Sequence, residues 1–306
     1  MPHGVVIAPS PAAVNVVDDV IAQARQAYAL GVRQIWLAQM FAFDAIALAG
    51  LVGAAVPGLT VGTSAVPINP RHPLIVAGQA QTAQAASHGN FRLGLALGAH
   101  ALERSAFGIS SANTVQRLRE HLTVLRSIFE DGTVDFHGQE ITASPELPVS
   151  LPGSTPIPIH VAAMGPRALQ VTGELADGTL PFLAGPRTIE EFIAPTLATA
   201  AAEAGRPTPH IIAFVPVLVT DDEATGRATA ATHLSFYDNT PSYQKVIARE
   251  GASQAADLAA VGTPATITKH LSRYRDAGAT EIVLSPIHHE DPAALRELWS
   301  VAADSR

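Results

Sequence analysis

Short runs of consecutive apolar residues alternate along the chain with longer stretches in which apolar residues recur at helical spacing. A strand buried on both faces is apolar throughout. On that basis the pattern predicts strands over residues 5–8, 33–38, 59–64, 91–97, 157–162, 179–183, 210–219 and 281–285. Between and after them, amphipathic spacing predicts helices over 16–30, 44–56, 73–87, 114–130, 166–175, 189–204, 222–237, 242–259, 264–277 and 292–303. The helix over 114–130 is the most regular, with Leu118, Leu122, Leu125 and Phe129 along one face. Residues 133–156 break the rhythm: they hold six Pro and Gly residues and the stretch VDFHGQEIT, which reads as a hairpin. An insertion at about 131–156 is expected.

Eight strands, nearly all separated by helices, predict a (β/α)8 TIM barrel formed by residues 1–306 as a single domain. An internal echo supports it, since QAYALGVRQIWLA and YRDAGATEIVLSP share a helix, glycine, strand layout. A doubly wound open sheet is the alternative. It is disfavoured because no G-x-G-x-x-G turn follows the first strand.

Composition narrows the chemistry. Of 306 residues, 47% are hydrophobic and 15% charged, so a large core is expected and disorder is not. A net charge of −8 without a basic cluster argues against nucleic acid as a partner. The absence of cysteine excludes disulfides, thiolate metal sites and cysteine nucleophiles. The beginning of the chain lacks a basic region and a long apolar run, and no stretch approaches the roughly 18 apolar residues of a membrane span. A cytoplasmic protein without membrane attachment is expected.

In a barrel of this kind the site lies at the C-terminal ends of the strands. Those ends are poor in carboxylates and lysines and rich in small and apolar residues, which suits a flat cofactor that carries the chemistry. Ala163, Met164, Gly165 and Pro166 join the fifth strand to a helix, and Pro166 suits the first helical turn. The free N–H groups there make an anion site suited to a cofactor phosphate. His72 and His100, each just beyond a predicted strand, are the candidate proton donors. His288 and His289 beside Glu290 and Asp291 read as a solvated loop, since neighbouring residues of an extended segment point oppositely; no metal is expected. Tyr237 and Tyr243 read as packing beneath a loop.

Several segments resemble the bacterial luciferase-like superfamily, in particular its coenzyme F420-dependent oxidoreductases. FRLGLALGAH is similar to that family's fourth-strand motif, and VGTSAVPINPRHPLIVAGQAQTAQAASHG to its third strand, loop and helix. VAAMGPRALQVTGELADGTLPFL resembles its phosphate loop, and PHIIAFVPVLVTDDEATGRATA its seventh-strand region. The resemblance implies a non-proline cis peptide at Ser64-Ala65 backing the deazaflavin ring. It also implies phosphate contacts from the N–H groups of Ala163, Met164 and Gly165, and close approach of cofactor to chain at Gly98. Gln39 stands where the family commonly has an acidic residue, Met40 where many members have histidine, and Ala99 near the glutamate of the sugar-phosphate dehydrogenase branch. These departures point away from sugar oxidation, toward reduction of a C=C or C=N bond by hydride from F420. A small-molecule or peptide-borne substrate, natural-product tailoring in a bacterium and a homodimer are further expectations. The alternatives are a monooxygenase using flavin mononucleotide (FMN) and a non-catalytic barrel subunit.

Overall fold

The computed structural model describes residues 3–109, 113–154 and 156–304, apart from the side chain of His100. All eight expected strands are present: β1 His3–Val6, β2 Gln34–Leu37, β3 Thr60–Thr63, β4 Phe91–Ala96, β5 Ile159–Ala162, β6 Gly178–Thr179, β7 His210–Val219 and β8 Glu281–Pro286. Interspersed helices begin with α1 Val16–Ala29, α2 Ala45–Ala55, α3 Pro73–Ala86, α4 His100–Phe107, α5 Thr114–Asp131 and α6 Pro166–Leu175. The fold class is the (β/α)8 TIM barrel.

The chain divides into two compact units. One combines the residues up to Trp36 with Leu180–Thr196 and the chain from His210 onward. In it β7, β8, β1 and β2 pair in that order, all parallel. Trp36 is fully buried and meets Phe214 edge to face, with ring centroids 5.4 Å apart. The other unit consists of Leu37–Thr179 and Leu197–Pro209. There β3, β4, β5 and β6 pair in order, again parallel, and Phe91, Leu93 and Leu95 are buried with Leu118 and Leu122 of α5. Helices α2 and α3 approach closely at Gly53, where a Cβ would lie 2.5 Å from the Ser87 Cβ.

Several expected boundaries move. The helix expected over 242–259 ends at Glu250, because Gly251 turns left-handed (φ 77°). It is followed by a 3-10 turn, Ala255–Leu258, and a short strand, Ala260–Gly262, that pairs with β7. The strand expected over 179–183 is regular only at Gly178–Thr179, and Leu183 has φ 56°. Helix α4 was not anticipated. Among its described side chains only that of Glu103 is buried, while Leu102 and Phe107 are exposed.

The stretch after α5 contains the expected hairpin, pairing Phe136 with Ala143 and His137 with Thr142. Buried polar side chains of α3 and α5 fasten this region to the core. The Glu120 carboxylate accepts N–H bonds from Gln139, Glu140 and Ile141, each 2.8 Å long, and a fourth bond from Gln116 Nε2 at 2.8 Å. Burial raises the Glu120 pKa, but these hydrogen bonds outweigh burial and hold it below the ordinary carboxylate value. Gln81 donates to the Val149 carbonyl at 2.8 Å and accepts from the Leu151 N–H at 2.8 Å.

Glu120→Ala is expected to cost about 2–4 kcal/mol, because it strands three backbone donors, and Glu120→Gln about half as much; urea unfolding checks both. His121, fully buried on α5, gives a pH prediction. Desolvation, with smaller contributions from Arg117 and His72, lowers its pKa from 6.5 to about 3. The unfolded chain therefore binds the proton first. The associated stability is complete above pH 6.5 and is lost as pH falls from there toward 3. Between pH 7 and about pH 5 this one group should cost about 2 kcal/mol, a loss absent in His121→Leu and measurable from denaturation midpoints at the two pH values.

Candidate active site

Every site residue expected from sequence falls in the second unit, on four strand-to-helix connections. The first follows β2. Gln39 holds this loop with its whole amide: Nε2 donates to the carbonyls of Met40 (2.6 Å) and Phe43 (2.8 Å). Its Oε1 accepts from the Ala45 N–H and from Arg71, both at 3.0 Å. Arg71 also pairs with Asp44 at 2.9 Å, and Asp44 caps α2 through the Ala47 N–H at 2.8 Å. With its amide committed, Gln39 shapes the loop, which presents Met40 (54% exposed) and Phe41 (70% exposed) outward.

On the second connection the Ser64-Ala65 peptide bond is cis, at the position the resemblance implied. The Ser64 N–H donates to the Leu37 carbonyl at 2.8 Å, and Ser64 and Ala65 are half-buried. A short strand, Val66–Pro67, pairs with β4 before α3 begins. His72 is the cap of α3. Its Nδ1 accepts from the Leu74 N–H at 3.3 Å, and its Nε2 lies 2.9 Å from the Thr142 carbonyl. Both ring nitrogens are thus engaged in hydrogen bonds within the protein.

The third connection follows β4. Gly98 has φ 87°, and a Cβ there would lie 1.9 Å from the Glu103 Oε1. The Cβ position of Gly98 is therefore taken by a carboxylate of this chain. Ala99 is the N-cap of α4 and supplies no side-chain hydrogen bond. His100 opens α4, and its side chain lies outside the described residues. Glu103 is 3% exposed and its Oε2 accepts from Asn69 Nδ2 at 2.6 Å. Neither Glu103 nor Asn69 was foreseen, because α4 itself was not.

The fourth connection joins β5 to α6. The Ala163 N–H donates to the Val161 carbonyl at 2.8 Å, closing a three-residue turn. That bond engages the Ala163 N–H, one of the expected phosphate donors. Pro166 is the first residue of α6 and Gly165 its N-cap, without a side-chain hydrogen bond. Residues 165–167 are exposed, and a Cβ on Gly165 would meet nothing within 4 Å. Among the described residues, no partner is found for the N–H groups of Met164, Gly165, Arg167 and Ala168. The helix start is open, uncapped and accessible, as an anion site requires.

In the first unit, Tyr237 and Tyr243 stack against Phe182, at centroid distances of 5.2 and 6.2 Å. His288 packs against His233 at 4.7 Å. Among the described residues, no group of three or more His, Asp or Glu side chains is arranged to hold a metal ion, and no helix is long and apolar enough to cross a membrane.

This chain belongs to the luciferase-like monooxygenase family, whose model matches residues 3–281. It is 30% identical to an uncharacterized protein of Mycobacterium tuberculosis over 206 residues, 63% of this chain and 61% of that relative's length. It is 24% identical to a putative coenzyme F420-dependent oxidoreductase of Mycobacterium tuberculosis, over 83% of this chain and 77% of the relative. Among solved structures it is similar to an F420-dependent secondary alcohol dehydrogenase in complex with an F420-acetone adduct (TM-score 0.82, 19% identity, 99% and 98% of the two chains). It is also similar to the oxygenating constituent of 3,6-diketocamphane monooxygenase from Pseudomonas putida, in complex with FMN (TM-score 0.78, 17% identity, 100% and 97%). At these identities the two structures establish the fold.

The capping role of His72 is testable. His72→Asn, which keeps a capping acceptor, is expected to retain stability within about 0.5 kcal/mol, and His72→Ala to lose about 1 kcal/mol. Turnover per folded molecule should be unchanged in both. Thermal denaturation and steady-state rates make the check, and a large rate loss in His72→Asn would support the proton-donor role instead.

Proposed function

We propose that this chain is a coenzyme F420-dependent oxidoreductase that moves a hydride between C5 of the deazaflavin and a small organic substrate, reducing a C=C or C=N bond. The open start of α6 carries the reading, because it offers a ready anion site on the connection where a cofactor phosphate was expected. The F420-dependent oxidoreductases among its relatives and structural neighbours support F420 as the cofactor.

F420, when bound, supplies two-electron hydride chemistry at C5 of its ring. The N–H groups of Met164, Gly165, Arg167 and Ala168 would hold the phosphate, and the exposed Arg167 adds positive charge beside it. Ser64 and Ala65 would back the ring. Exposed Met40 and Phe41 give the substrate an apolar surface and keep water from it. His100, at the start of α4, and His72 are the candidates to hand a proton to the reduced substrate. Small-molecule or peptide-borne substrates, action in the cytoplasm and a homodimer belong to the same reading.

Titration with F420 and, separately, with FMN tests the cofactor. Binding of F420 at about micromolar Kd is expected, and binding of FMN alone would overturn the reading. Gly165→Asp sharpens the test. Its φ of −94° suits any residue, and a carboxylate at the N-cap should leave Tm unchanged or slightly raised. The same carboxylate would compete with and repel the phosphate, so F420 affinity should fall by about tenfold or more while Gly165→Ala stays near wild type.

A further inference from the structure

Helix α4 is an unusual helix to find ordered. It has eight residues, too few to persist by local hydrogen bonding in water. Its N-cap, Ala99, contributes no side-chain bond. A short helix of this kind normally docks by an apolar face, yet Leu102 and Phe107 are 52% and 46% exposed. Among its described side chains, only that of Glu103 is buried. The helix is thus tied to the fold by a carboxylate. Glu103 Oε2 takes a 2.6 Å bond from Asn69, while Oε1 rests against the Cα of Gly98, where no Cβ would fit. Asn69 is itself buried and lies on the connection that carries the cis Ser64-Ala65 bond. A second, weaker tie is the edge contact between Phe107 and exposed Phe41, at 5.7 Å.

We infer that Glu103 is a positioning residue: its buried carboxylate joins Asn69 to Gly98 and so sets where the 97–100 segment and the start of α4 stand against the cofactor ring. The inference rests on the cofactor reading above for what is positioned, but the docking of α4 through Glu103 stands on the geometry alone. Oε2 takes the Asn69 donor, while Oε1 is buried against a glycine without a hydrogen-bond partner among the described residues. Glutamine keeps the acceptor, and alanine removes it and leaves Asn69 Nδ2 with only a 3.5 Å contact to the Leu97 carbonyl.

The test compares wild type, Glu103→Ala and Glu103→Gln. Amide hydrogen exchange on the cofactor-free protein reads the docking. Faster exchange confined to residues 97–107 in Glu103→Ala, with Glu103→Gln near wild type, is expected. Unchanged exchange in Glu103→Ala, or a rise spread through the chain, would overturn the inference. Titration with F420 reads the positioning. Affinity should fall about tenfold in Glu103→Ala at an unchanged Tm and recover in Glu103→Gln. Equal affinity in all three would show that α4 is docked but sets nothing. Failure of wild type to bind F420 would sink the cofactor reading and with it the positioning half, and the exchange result still decides the docking.

Discussion

Backbone groups that leave the strands and helices must find partners or stay in water, and this requirement governs the irregular parts of the chain. An unpaired buried donor costs about 1–3 kcal/mol. Here, single polar side chains meet it at the junctions. Glu120 collects three successive N–H groups of the hairpin, Gln81 bridges the 149–151 segment, and Gln39 closes the loop after β2 on itself. In the first unit Glu250 plays the same part, taking the Arg187 and Thr188 N–H groups at 3.2 and 2.8 Å. The regular strands need no such help. The long connections do, and they carry the candidate site.

Against that background the start of α6 stands out. Side chains of Asn15, Asp44 and His72 close the first turns of α1, α2 and α3. Gly165 closes nothing, and the space beside it is open. Ala99 and Asn113 give α4 and α5 no side-chain cap either, so what marks the start of α6 is the open space beside Gly165.

The family supplies the frame, and the residues that differ supply the character of the site. Gln39 and Met40 stand where relatives were expected to carry an acid and a histidine. The structure shows what the change does: the Gln39 amide is consumed in holding its loop, and Met40 and Phe41 are turned outward. The loop after β2 thus presents apolar rather than charged side chains at these two positions.

The eight strands, most helices, the hairpin and the β5–α6 turn could be read from the chain because each has a local cause. Apolar runs mark buried strands, helical spacing marks amphipathic helices, and Gly-Pro marks a helix start. The cis bond at Ser64-Ala65 was placed by resemblance alone, since no local feature of those residues announces it. The docking of α4 was illegible because the partner of Glu103, Asn69, lies 34 residues away, and the hydrogen bonding of His72 because Thr142 lies 70 residues away. The sequence by itself determined which segments would be buried and in what order. Only the tertiary structure decided how polar side chains were spent, because a hydrogen bond between distant residues depends on where the fold brings them and not on their neighbours in the chain.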